Sequence, residues 1–163
     1  DDLVTGVQTC ALPIYNGELV IPQIETQNLN LIDVEGNVFN FSTGKWYLVH
    51  FDDFQNKTFS LDRYKLATSL KITLPRESHR LRRVVVYKDK ELFANALELK
   101  EQFPQIIFLY DKDNMFENRI SSQLNNPYFS KSMFLIDSFS NVMEEFNVSL
   151  TFSEIFEDLK VLL

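Results

Sequence analysis

A chain of 163 residues with 45% hydrophobic and 24% charged residues has the composition of one globular domain. The formal charge of −7, with no basic block, argues against a nucleic-acid partner, because phosphate binding needs a clustered basic surface. No apolar run reaches the ~18 residues of a membrane span, 4 glycines leave little for a phosphate-cradling loop, and 1 cysteine cannot close an internal disulfide.

Residues 1–14 show neither helical nor strand periodicity. From Tyr15, YNGELVIPQIETQNLN reads as an extended lead-in (15–27) punctuated by Pro22. LNLIDVEGNVFNFS alternates apolar and polar residues about Glu35-Gly36-Asn37, which predicts a hairpin. KWYLVHF (Lys45–Phe51) is aromatic and β-branched on both faces, a buried strand, and DDFQNKT follows as a polar loop. In FSLDRYKLATSLKITL, Phe59, Leu66 and Leu70 recur at helical spacing until Pro75. RRVVVY (Arg82–Tyr87) is a second buried strand. KELFANALELKEQF is an amphipathic helix with Leu92, Ala96 and Leu99 on one face, ended by Pro104. QIIFLYD is a third strand and NMFENRISSQLN a short helix. SMFLIDS and NVMEEFN form a hairpin across Phe139-Ser140, and TFSEIFEDLKVLL closes the chain as a helix capped by Thr151 or Ser153.

The order is hairpin, then βαβαβα, then hairpin, then helix, in one domain over 28–163 with no repeat or linker. A βαβ unit followed by an antiparallel hairpin and a terminal helix is the connectivity of a thioredoxin-like domain. It predicts an α/β fold, a mixed sheet flanked by helices, with an extra N-terminal β-hairpin. Such a fold does not by itself fix a function.

Candidate site residues gather after the first central strand. His50 lies within that strand, and Asp52 and Asp53 stand at its end, where this architecture keeps its active loop. Together they suggest a metal or enzyme site. The plainer reading is an internally hydrogen-bonded histidine and a loop whose acidic groups favour a helix N-terminus. His79, in the charged turn RESHRLRR, reads as solvated. DKDNMFENRISS begins like a calcium loop, but Phe116 stands at the glycine position and Ser122 at the terminal carboxylate position. No serine-histidine-acid arrangement emerges to activate a nucleophile.

GKWYLVHFDDFQNKTFSLDRYKLATSLK resembles the Sco-type proteins that help assemble cytochrome c oxidase, and more closely a short, membrane-anchored proteobacterial branch found beside oxidase genes. YNGELVIP is similar to the segment following that branch's anchor, LIDVEGNVFNFSTGKW to its first hairpin and strand, and RESHRLRRVVVY to its second strand. FLIDSFSNVMEEF is similar to its last hairpin and FEDLKVLL to its closing helix, so the resemblance runs from Tyr15 to Leu163. Copper-binding members of the family carry two cysteines four residues apart after the KW strand, and a distant histidine before the last hairpin. Counted without gaps, those positions are Asn56, Ser60 and Phe129. Soft thiolates suit Cu(I), whereas asparagine, serine and phenylalanine do not hold it. The resemblance therefore implies a vacant site, with no catalytic residue, no cofactor and no metal ligand. It implies a non-catalytic protein acting by contacts with oxidase subunits or assembly factors, held at the periplasmic face of the bacterial inner membrane by an anchor preceding Tyr15. The alternatives are the site at His50, Asp52 and Asp53, and a structural interaction domain unrelated to oxidase assembly.

Cys10 does not replace the missing thiols. VTGVQTCALPI resembles a one-frame translation of a short-read sequencing adapter, which makes residues 1–14 a non-native tail.

Overall fold

The computed structural model describes residues 14–75 and 80–163. Cys10, with the rest of 1–13, and His79 lie outside the described residues. The strands are β1 (Glu18–Glu25), β2 (Leu31–Ile32), β3 (Val38–Phe39), β4 (Trp46–Phe51), β5 (Leu81–Tyr87), β6 (Ile106–Asp111), β7 (Met133–Ile136) and β8 (Asn141–Phe146). The helices are α1 (Lys57–Thr73), α2 (Phe93–Gln102), α3 (Met115–Ser121), α4 (Pro127–Ser130) and α5 (Phe152–Leu162).

All eight strands join one sheet in the order β1-β8-β7-β4-β5-β6-β2-β3. β4, β5 and β6 are parallel neighbours, and β7 and β8 add antiparallel on the other side of β4. The apolar runs explain the centre of the sheet, since every residue of β4 is buried and a strand covered on both faces needs no polar alternation. The fold is the expected mixed α/β sheet flanked by helices.

The two faces sort the side chains by parity. Tyr47, Val49 and Phe51 of β4 pack with Phe116 and Ile120 of α3 and Tyr128 of α4. Trp46 and Leu48 face the other way, onto Ala67 and Leu70 of α1 and Ile155 and Leu159 of α5. A third cluster continues that second face, where Tyr64 of α1 and Ala96 and Leu99 of α2 cover Val85, Tyr87 and Phe108. His50 shares the parity of Trp46 and Leu48 and so lies beneath α1.

Both edges are built from the N-terminal third. The β2–β3 hairpin turns as its sequence predicts: the Asp33 carboxylate accepts the amides of Glu35 and Asn37 at 3.0 and 2.9 Å. Gly36 takes φ +90° there, a conformation open to glycine at no steric cost. β2 then docks antiparallel on β6, so the extra hairpin forms the far edge of the sheet. The lead-in is itself a strand: β1 pairs antiparallel with β8, with a register shift between Leu19 and Ile24. Pro22 sits in that irregular stretch, as suits a residue with no N–H to give to an edge ladder.

Helix ends refine the sequence reading. α1 begins at Lys57, with the Asn56 side chain accepting the amide of Phe59 at 3.0 Å. Thr151 rather than Ser153 caps α5, in a reciprocal capping box with Glu154. α2 is preceded by a separate 3-10 turn, Lys90–Leu92, which leaves Leu92 only half-buried. α4 was not anticipated; Asn126 caps it and Pro127 supplies its first residue.

Candidate functional site

β4 delivers its last residues to a loop that immediately becomes α1. The Asp52 amide still bonds to the Val86 carbonyl at 2.8 Å, so the sheet holds the start of the loop in place. Both carboxylate oxygens of Asp52 are used: Oδ1 accepts the Phe54 amide at 2.9 Å and Oδ2 accepts the Tyr64 hydroxyl at 2.6 Å. Asp53 bends the chain further by accepting the Gln55 amide at 3.0 Å. These acidic groups shape the turn that launches α1, and Phe54 adopts φ 59° within it.

Asn56 and Ser60 stand one helical turn apart, and the Ser60 amide donates to the Asn56 carbonyl at 2.9 Å. Asn56 is exposed and occupied as the helix cap. Ser60 is only 3% exposed and lies beside the Tyr64 hydroxyl. Phe129, on α4, presents 87% of its surface to solvent. Two residues later Lys131 turns the chain through the left-handed region (φ 56°) into β7. Its Nζ rests 5.3 Å from the centre of the Phe59 ring. The segment before the last hairpin therefore reaches the first turn of α1.

His50 lies under this helix start, 4% exposed, with its ring 6.1 Å from that of Phe59 and 6.2 Å from that of Tyr64. Burial lowers its pKa to about 4; Asp52 and Asp53 oppose the shift, and Arg63 and Lys131 reinforce it. The imidazole is neutral at physiological pH. Burial first, then the charge and hydrogen bond of Asp52, push the Tyr64 phenol far above its ordinary range, so it is a fixed donor. Among the described residues, no three His, Cys, Asp or Glu side chains form a group able to hold a metal ion. Asp52 and Asp53 serve the loop through their hydrogen bonds, and His50 is enclosed beneath the start of α1.

Three contributors escaped the sequence reading: Arg63, Tyr64 and Lys131. The signal for the first two was present, since Ser60, Arg63, Tyr64, Ala67 and Leu70 repeat at helical spacing. It was masked because three of the five are polar by type.

Known structures place this geometry in the thioredoxin-like class. A thiol:disulfide interchange protein of the thioredoxin family from Chlorobium tepidum superposes with a TM-score of 0.61 at 14% identity, over 80% of this chain and 90% of that one. Within that class the neighbours include Sco proteins. The copper-bound Sco protein of Arabidopsis thaliana gives a TM-score of 0.65 at 15% identity, covering 80% of this chain and 92% of that one. The copper-bound yeast protein gives 0.64 at 16% identity, covering 91% and 92%. A Sco/SenC family lipoprotein from Bacillus anthracis gives 0.63 at 17% identity, covering 85% and 95%. No protein-family model and no curated protein matches the sequence. The likeness is one of fold.

Proposed function

We propose that this domain is a non-catalytic, Sco-like thioredoxin-fold protein that serves cytochrome c oxidase assembly through protein contacts at the periplasmic face of a bacterial inner membrane. The observation that carries the reading is the fate of the loop after β4 on a Sco-like fold. Asn56 caps a helix, Ser60 is packed beneath it, and neither offers a thiol. Copper and thiol exchange, the chemistry those positions perform in copper-binding family members, have no ligand or nucleophile there. Phe129 supports a contact role, because a phenylalanine 87% exposed two residues before Lys131, which reaches the first turn of α1, is the kind of aromatic that anchors protein interfaces. The partners are oxidase subunits or assembly factors. Among the described residues no helix is long and apolar enough to cross a membrane, so the membrane attachment in this reading belongs to a segment outside them.

The test is genetic and spectroscopic. Deleting the gene in its host should lower the assembled oxidase, read from its haem absorbance and oxygen uptake. The parent chain should restore it, and Phe129→Ala should restore it poorly while folding normally. Normal oxidase levels in the deletion strain would sink the reading and favour an interaction domain working elsewhere. Stoichiometric metal binding by the parent chain, lost in His50→Ala, would instead revive the alternative site.

A further inference from the structure

The extra hairpin docks on β6 and leaves a hollow between its turn and the start of α2. Ile32 of β2 stands opposite Tyr110 of β6, and Tyr110 opposite Tyr87 of β5. Partners in register share a face, so the three side chains form one row on the face that α2 covers. The two phenol rings stack, with centroids 5.6 Å apart and planes at 27°. Val34 and Glu35 of the turn stand on one side of this row, and Lys90 and Phe93, where the 3-10 turn runs into α2, on the other. Between them lies a cavity of about 440 Å³. It sits at the C-terminal ends of the parallel strands β5 and β6, the end at which open α/β sheets bind ligands.

That volume falls within the range of small-molecule pockets and leaves room for two fused rings. Ile32, Val34 and Tyr110 are only half-buried and Phe93 is 40% exposed, so the lining keeps apolar surface in water that an apolar occupant would remove. Another ring suits this lining best, because offset-stacked and edge-to-face aromatic pairs gain beyond the area they bury. Glu35 and Lys90 are both exposed at the mouth, one of each sign, so an anion meets the first and a cation the second. An uncharged occupant meets neither penalty. The walls are already set: the Asp33 carboxylate holds the turn through the amides of Glu35 and Asn37, and the Leu92 amide closes the 3-10 turn on the Asp89 carbonyl at 2.9 Å. A preformed cavity spares the ordering cost of binding.

We propose that this cavity binds a small, uncharged, planar aromatic molecule of one or two fused rings, seated against the Tyr87–Tyr110 pair and Phe93. The occupant bridges the extra hairpin and the start of α2. The proposal is independent of any role in oxidase assembly.

Titration of the unaltered, isotope-labelled chain with 2-naphthol and with its saturated counterpart decahydro-2-naphthol, followed by amide NMR, tests it. 2-Naphthol should bind saturably with a Kd on the order of 0.1–1 mM, as expected for a ligand of about eleven heavy atoms. It should shift the amides of residues 32–36, Tyr87 and Phe93 and show nuclear Overhauser contacts to the rings of Tyr110 and Phe93. The saturated probe should bind about fivefold more weakly, and Tyr110→Leu should weaken 2-naphthol by a similar factor. Should that variant fail to fold, the ring contacts in the unaltered chain decide the matter. Equal binding of the two probes, contacts centred on other residues, or shifts that never saturate would each overturn the proposal. N-acetyltryptophanamide binding at least about tenfold tighter than 2-naphthol would overturn it in favour of a side chain from a protein partner. Shifts of the same amides with protein concentration alone would overturn it in favour of a second copy of the chain.

Discussion

Asp158 of α5 accepts the amides of Asn16 and Gly17, both at 2.9 Å, and so ties the start of β1 to the last helix. Close to it lies Glu144 of β8, 0% exposed, with both carboxyl oxygens buried and unpartnered among the described residues unless one carries a proton for Asp158. Two carboxyls so placed do not both ionise. Burial above all, then the hydrogen bond and charge of Asp158, push Glu144 up to about 9, so it keeps a proton and donates it. Gly17 is required here, since a Cβ would meet Glu144 Oε2 at 2.5 Å and the Glu145 carbonyl at 2.9 Å. A carboxyl raised in the folded state adds its full stability below its ordinary value near 4.5 and loses it as the pH climbs towards about 9. Glu144→Gln keeps a donor for Asp158 and removes the titration. It should therefore be about 2–4 kcal/mol more stable than the parent at pH 8 and nearly equal to it at pH 4.5, read by urea unfolding. A variant whose stability follows the parent's pH profile would show that the shared proton is absent. The sole tryptophan offers a second test at this scale. Trp46 is 9% exposed, with Leu70 of α1 and Leu159 of α5 in its cluster. Trp46→Ala should cost about 3–5 kcal/mol, and the folded parent should emit as a buried indole.

The elements most legible in the sequence were those whose burial and residue type agree. KWYLVHF and RRVVVY became central strands because nothing polar competes at most of their positions, and the N-cap candidates Thr151 and Ser153 marked the start of the last helix. α1 shows where a local pattern runs out. Phe59, Leu66 and Leu70 recur at helical spacing and the helix forms there, yet its buried positions are Ser60, Arg63, Tyr64, Ala67 and Leu70. Tyr64 points inward to its bond with Asp52, a tertiary cause that no local pattern records. α4 was missed for a different reason, since four residues are too few to display a period. The spacing of Asn56 and Ser60 was legible, and it leads to a prediction about these elements. Asn56→Cys, Ser60→Cys and Phe129→His together should install one Cu(I) site, because thiolates one turn apart and an imidazole prefer that ion. The chain around Lys131 already reaches Phe59, and solvent around Phe129 leaves the new ring free to turn. Loss of the Asn56 cap should cost about 1 kcal/mol. Competition against a Cu(I) chelator reads the outcome, and a folded triple variant with no stoichiometric copper would show that the ungapped count misplaced the histidine position.

On the scale of the whole molecule, the N-terminal third folds around both ends of a core that starts at β4. Its hairpin extends the sheet past β6, and β1 closes the opposite edge on β8. The sequence showed the hairpin, because its turn chemistry is local. The partner of 15–27 was not legible, since pairing with β8 joins residues more than a hundred positions apart and Pro22 interrupts the alternation that marks a strand. The structure makes β1 part of the core: Val20 and Ile24 are 2% and 4% exposed and belong to the same cluster as Phe134 and Val142. Further bonds fasten the strand, with Gln123 donating to the Pro22 carbonyl at 2.6 Å and Arg119 to the carbonyls of Glu25 and Gln27 at 3.1 and 2.6 Å. A chain beginning at Thr26 tests whether the remainder stands alone. Burying a valine or isoleucine is worth about 1.5–3 kcal/mol, so losing two of them with the β8 ladder should remove about 3–6 kcal/mol. That is a large share of the roughly 5–15 kcal/mol that holds a domain together. The shortened chain should melt well below the parent and associate through the exposed edge of β8, because an uncovered strand edge invites pairing with another copy. Calorimetry and sedimentation check both outcomes, and a monomer melting at the parent temperature would mean that β1 only decorates the sheet.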